Sequence, residues 1–195
     1  HQRMSHKRIG LFGGSFDPIH LGHLAILRSF LSSGYIDELW LLVNPHPPHK
    51  QNTDASYTNR LNMVDLATKE ISECLISRIE EDLPVPNYSY KTIDYVIDTL
   101  GYPEVYFCLG SDSIDSFGSW KDYEKILERV RLLVAQRKAD FTLPVYLKSK
   151  AVLVEHELMT ISSTDLRGKL QMGEPLDEYL HATTIDYISK HNLYR

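Results

Sequence analysis

Cysteine is scarce: the 195 residues hold two, Cys74 and Cys108, each inside an apolar run. They read as buried free thiols in a reducing cytosol. No apolar stretch reaches the roughly 18 residues that span a bilayer, and no signal-peptide pattern opens the chain, so a cytoplasmic location is expected. Cations do not outnumber anions: 21 Lys and Arg stand against 26 Asp and Glu, a formal net charge of −5. That argues against a general nucleic-acid or membrane-surface binder, and any anion site must be a local concentration of His, Lys and Arg. The glycines form neither G-x-G-x-x-G nor G-x-x-x-x-G-K-[ST], so the dinucleotide fingerprint and the Walker A loop are both missing. A dehydrogenase carrying bound NAD is disfavoured for the same reason. There is no internal repeat, low-complexity segment or interdomain linker.

What is present is a chain long enough for one ordinary domain, with 43% hydrophobic and 24% charged residues, the balance of a soluble globular protein. His1-Gln2-Arg3 ahead of Met4 reads as a vector remnant; residues 1–6 are set aside as an N-terminal extension and 7–195 taken as the domain. Apolar runs at Ile9–Phe12, Leu39–Val43, Leu75–Ile76, Val105–Leu109, Leu132–Ala135 and Ala151–Val154 read as strands. Segments of helical spacing lie between and after them: 24–33, 59–71, 92–100, 123–129, 163–172 and 177–191. Strands alternating with helices give an α/β fold, a single Rossmann-like open, mostly parallel sheet with helices on both faces.

One stretch carries chemistry. After the first strand, Gly13 and Gly14 are expected to turn the chain and to leave room for something to lie against the backbone, and Asp17-Pro18 continues the turn. His20 and His23, around Gly22, then sit at the start of a helix. A helix N-terminus has unpaired N–H groups and partial positive charge, which favours bound phosphate. Solvent-facing imidazoles are the plainer alternative. A metal pair lacks a third ligand at suitable spacing, so no protein-bound metal is expected. Ligands of open parallel sheets lie beyond the carboxyl ends of the strands. There fall Gly13–His23, the proline-rich loop Asn44–Lys50, and Gly110–Asp112.

Gly13-Gly14-Ser15-Phe16-Asp17-Pro18 followed by His20-x-Gly22-His23 resembles the signature of the nucleotidyltransferases with an (H/T)-x-G-H motif. A second signature, Ile161-Ser162-Ser163-Thr164-Asp165-Leu166-Arg167, stands far downstream. Together with Asn44–Lys50, Ser89–Asp94 and Gly110-Ser111-Asp112 leading to Trp120, the ordered set resembles the bacterial nicotinate mononucleotide adenylyltransferases from Lys7 to Tyr194. The resemblance implies transfer of AMP from ATP to nicotinate mononucleotide, with Mg²⁺ carried by the nucleotide. It implies that Gly13, Gly14, Ser15, Phe16, His20, His23, Ser162, Ser163 and Arg167 hold ATP, with His20, His23 and Arg167 as the catalytic group. It further implies that Asn44, His49 and Lys50 meet the mononucleotide phosphate and that Asp112, after Gly110, accepts from a ribose hydroxyl. Trp120 would stack on the pyridine ring, and Tyr90 and Thr92 would belong to the segment that recognises the nicotinate carboxylate. Lys91 interrupts the family's Ser-Tyr-Thr there, which loosens the place of Tyr90. Asp17 is expected to shape the turn rather than to react. The alternatives are another superfamily member, such as a pantetheine-phosphate adenylyltransferase or a cytidylyltransferase, and a non-catalytic nucleotide sensor. A homo-oligomer is compatible with the sequence.

Overall fold

The computed structural model describes residues 7–47, 54–136, 141–156, 159 and 161–195; the expected N-terminal extension lies outside them. Each of the six apolar runs is a strand: β1 (Ile9–Gly14), β2 (Glu38–Val43), β3 (Cys74–Ile76), β4 (Val105–Gly110), β5 (Arg131–Ala135) and β6 (Ala151–Val154). They form one sheet in the order β3-β2-β1-β4-β5-β6, and every neighbouring pair is parallel. That is the doubly wound order, with its reversal between β1 and β4.

Strand side chains alternate between faces, and both faces are covered. Leu39, Leu41 and Val43 of β2 pack with Leu133 of β5 into one core, against α1 (Leu21–Ser32), α2 (Tyr57–Thr68), α6 (Ser163–Gln171) and α7 (Ala182–His191). Trp40 and Leu42 of β2, with Ile9 and Leu11 of β1 and Leu132 of β5, pack the other way. They meet α3 (Ser89–Asp94), α4 (Ile114–Phe117) and α5 (Tyr123–Arg129). Phe30 of α1 is wholly buried; truncating such a ring to Ala costs about 3–5 kcal/mol. Gly10 faces Ile36, Cys108 and Leu39, and a Cβ there would fall 2.8 Å from Ile36 Cδ1. Gly10 thus leaves room for the side chains of the α1–β2 connection and of the neighbouring strands to close over β1.

The structure corrects several boundaries. The strand runs straight through Gly13 and Gly14. The turn expected there is made at Phe16, with φ of 49°, and at the cis Asp17–Pro18 bond. Helix α2 starts at Tyr57 because the Ser56 side chain caps Asn59 N, and α7 starts at Ala182 rather than 177 because His181 caps Thr183 N. Helix α3 starts at Ser89 and widens into a π-turn over Tyr95–Thr99, closed by Leu100 N donating to Tyr95 O at 3.0 Å. Helix α1 ends as expected, with Gly34 in the left-handed region at φ 84°.

Candidate active site

The site begins where β1 and β4 separate. Their pairing stops at Phe12 opposite Cys108. Beyond it, Gly13 and Gly14 stay paired with Leu42 and Val43 of β2, and Leu109 and Gly110 stay paired with Val134 and Ala135 of β5. Each strand holds its outer neighbour, so a crevice opens between them at the topological reversal.

His20 and His23 form one unit at the crevice edge. His20 is the N-cap of α1: its Nδ1 accepts from His23 N at 3.3 Å, and His23 Nδ1 accepts from His20 N at 3.1 Å. This is a capping box built from two imidazoles. With each Nδ1 accepting, the neutral ring carries its proton on Nε2, which becomes the donor atom of both rings. The rings stack with centroids 3.7 Å apart. Gly22 makes this possible, since a Cβ there would lie 2.9 Å from both Cε1 and Nδ1 of His20. Phe16 is buried beneath, its ring 4.9 Å from that of His23. Its side chain therefore packs beneath that imidazole.

Asp17 shapes the turn, as expected. Its buried carboxylate accepts from Ala55 N at 3.1 Å and from the hydroxyl of Tyr194, near the far end of the chain. Burial and the neighbouring Asp17 charge push the Tyr194 hydroxyl well above its ordinary range, so it stays a donor.

The second signature docks on this same turn. Ser162 caps α6 by accepting from Asp165 N at 3.0 Å. Ser163 Oγ donates to Pro18 O at 2.9 Å, and Arg167 Nη1 donates to Asp17 O at 2.8 Å. Arg167 Nε also pairs with Asp54 Oδ1 at 3.3 Å. So the N-terminus of α6, the N-terminus of α1 and one guanidinium converge, bringing two helix dipoles and a planar cation together.

Beside them lies a cleft of about 250 Å³. Gly13, Gly14, Ser15, Asn44, Phe107 and Trp120 are among the residues that line it. Trp120 is held at 85° to Phe107 and 52° to Phe117, so its orientation is fixed by aromatic edges. Neither Gly13 nor Gly14 has positive φ, and a Cβ at Gly13 would meet nothing of the protein closer than 3.6 Å. A side chain at 13 would therefore project into the cleft without a clash inside the protein. Asn44 is fixed through its N–H to Gly14 O at 2.8 Å and its Oδ1 from His46 N at 2.9 Å. Gly110 ends β4 and Asp112 follows it, exposed. His49 and Lys50 lie outside the described residues.

Tyr90 and Thr92 do not line the cleft; Asn87 and Ser89 do. Because α3 begins at Ser89, Thr92 turns inward, is buried, and donates to Glu80 Oε2 at 2.9 Å. Tyr90 packs against Lys125 and the core under α5. Asn87 Nδ2 donates to Glu80 O and Pro84 O, both at 3.2 Å, and so shapes this wall.

The comparisons with known proteins agree with this geometry. The cytidylyltransferase-like family matches residues 11–169. A Flavobacterium johnsoniae protein named "Probable nicotinate-nucleotide adenylyltransferase" is 32% identical over 191 residues, covering 96% of this chain and 99% of its own. A Christiangramia forsetii protein of the same name is 34% identical over 194 residues, covering 97% and 99%. The chain belongs to the nicotinate-nucleotide adenylyltransferase family. The solved Plasmodium falciparum nicotinic acid mononucleotide adenylyltransferase complexed with NaAD superposes with a TM-score of 0.79 at 27% identity, over 97% of this chain and 98% of that one. The complex of that protein with APC gives 0.77, also at 27% identity and over the same shares of the two chains.

Asn87 and Arg60 were not singled out from the sequence, and Ser89 was named only as the first residue of the Ser89–Asp94 stretch. Asn87 lies just ahead of that stretch, past Tyr88. Arg60 is wholly buried in α2. It was legible in principle: Arg60, Val64 and Ala67 are spaced as one helical stripe, and an arginine on an apolar stripe asks for buried partners.

Proposed function

We propose that the protein transfers the adenylyl group of ATP to nicotinate mononucleotide, giving nicotinate adenine dinucleotide (deamido-NAD) and pyrophosphate, a step of NAD synthesis. The observation that carries this is the docking of Arg167 and Ser163 onto the Asp17–Pro18 turn, three residues ahead of His20 and next to a cleft walled by Trp120. One region receives a polyphosphate and the adjoining one a flat aromatic ring.

In the reaction a phosphate oxygen of the mononucleotide forms a bond to the α-phosphorus of ATP, and the bond from that phosphorus to the β-bridging oxygen breaks. The electron pair leaves with pyrophosphate. The attacking group is itself a phosphate, so no protein nucleophile is needed; catalysis is positioning plus stabilisation of charge moving onto the leaving group. The Nε2–H donors of His20 and His23 and the fork of Arg167 serve that charge. The substrate is the Mg²⁺ complex of ATP. The ion would come with the nucleotide and would neutralise phosphate charge there.

Trp120 stacks on the pyridine ring, and the Asn87–Ser89 wall faces its substituent. Among the described residues no helix is long and apolar enough to cross a membrane. Burial pushes the Cys74 thiol up to about 12 and raises Cys108 as well. Both are free and unreactive thiols, which supports a cytoplasmic setting.

Pyrophosphate release from Mg-ATP, measured with nicotinate mononucleotide, nicotinamide mononucleotide and phosphopantetheine in turn, tests the proposal. Release with nicotinate mononucleotide as the best acceptor is expected. Release only with phosphopantetheine overturns the choice of acceptor, and tight binding of both nucleotides without release makes the protein a sensor.

A further inference from the structure

Arg60 heads the fully buried side chains by size, and its hydrogen bonds go to backbone carbonyls of three segments. Nη1 donates to Ser15 O at 2.9 Å and to Asn44 O at 2.8 Å, and Nε donates to Ala55 O at 3.2 Å. Ser15 follows β1 and Asn44 follows β2, and both line the cleft. One nitrogen thus holds the two loops that must receive phosphate-bearing substrates.

We propose that Arg60 is a positioning residue that turns these carbonyl oxygens away from the substrates and so makes the loops fit to bind anions. In a trans peptide the C=O and the following N–H point in opposite directions. With the Ser15 carbonyl bound to Arg60, the Phe16 N–H is left pointing away from that guanidinium. Asn44 is followed by Pro45, which has no N–H, so on that side Arg60 acts by withdrawing an oxygen. A backbone that presents N–H groups and hides its carbonyls is the general form of an anion-binding loop. Burial works against the Arg60 charge and lowers its pKa, while nearby Asp17 and Asp54 offset part of that. Lysine, a point charge without the planar fork, cannot hold three carbonyls on two nitrogens.

This inference rests on the proposed adenylyl transfer for its kinetic consequence but not for its binding consequence. The test therefore uses the full chain with inorganic tripolyphosphate and a methylene-bridged ATP analogue as probes, in wild type, Arg60→Lys and Arg60→Met. In a folded Lys variant we expect at least tenfold weaker binding of both probes, and a raised KM for ATP and for the mononucleotide with a smaller fall in kcat. In the wild type, tripolyphosphate should shift the amide resonance of Phe16, a readout that needs no variant to fold. A folded Lys variant that binds tripolyphosphate as tightly as wild type, or a Phe16 amide that does not respond at saturation, overturns the proposal. Wild-type protein that binds the probes with the Phe16 response but transfers nothing to nicotinate mononucleotide overturns the proposed function and leaves the role of Arg60 standing.

Discussion

Arg167 Nη1 donates to the carbonyl oxygen of Asp17 at 2.8 Å, across 150 positions of sequence. That bond joins the two signature stretches into one site. It places the guanidinium on the turn that feeds His20 and His23, while Nε of the same fork pairs with Asp54. The cation is thus oriented before any substrate arrives, and little of its rotamer freedom remains to be lost on binding.

Replacing Arg167 with Lys keeps the charge and loses the fork. Steady-state kinetics should show kcat/KM for ATP falling on the order of 100-fold, or about 2.7 kcal/mol at 1.36 kcal/mol per decade. The KM for the mononucleotide should change little. A loss confined to the mononucleotide would place the arginine on the wrong substrate.

His23→Ala removes one donor and half of the imidazole capping box. Loss of the cap costs about 1 kcal/mol of stability, so the variant should remain folded with a modestly lower melting temperature. Loss of a donor to the charge developing on the leaving group should cut turnover on the order of 10²–10³-fold. Near-normal pyrophosphate release would remove His23 from the mechanism.

Trp120→Ala tests the acceptor side. An aromatic pair contributes about 0.5–1.5 kcal/mol beyond area burial, so KM for nicotinate mononucleotide should rise about tenfold with KM for ATP unchanged. Equal effects on both substrates would show that the ring supports the fold around Phe107 and Phe117 instead of stacking on ligand.

Glu80 gives a pH-dependent prediction. Burial raises its carboxyl above the ordinary range, and the Thr92 hydrogen bond offsets only part of that. The native state therefore holds this proton more tightly than the unfolded state does. Stability falls as pH rises from the ordinary carboxylate range through the raised native value. Glu80→Gln keeps an acceptor for Thr92 Oγ and removes the charge. Its melting temperature should exceed that of wild type at pH 7, and the gap should close as pH drops below the ordinary carboxylate range. A gap that persists unchanged in acid would mean the effect is packing.

The fold was legible because strands buried on both faces are written as unbroken apolar runs, such as Leu39–Val43. The His20/His23 pair stood out because it sits at a helix start, whereas Arg167 stood out only because its segment resembles a family signature. Local chemistry hid the rest. Gly13-Gly14 looked like a turn because glycine suits turns, yet the chain bends at Phe16–Pro18, where a buried Asp17 holds Ala55 N and the Tyr194 hydroxyl. Thr92 looked like a ligand contact because of its neighbours, but the start of α3 at Ser89 turns it onto Glu80. The burial of Arg60 can be read from its helical stripe, but its partners are carbonyls 45 and 16 residues away, a relation that no local pattern contains.

The most direct measurement is an experimental structure of the protein with a methylene-bridged ATP analogue and Mg²⁺. The account predicts the triphosphate between the N-termini of α1 and α6, with Nε2 of His20 and His23 and the guanidinium of Arg167 all within hydrogen-bond distance of phosphate oxygens. A triphosphate bound elsewhere, with the Arg167 guanidinium and the two imidazoles untouched by phosphate, would contradict it.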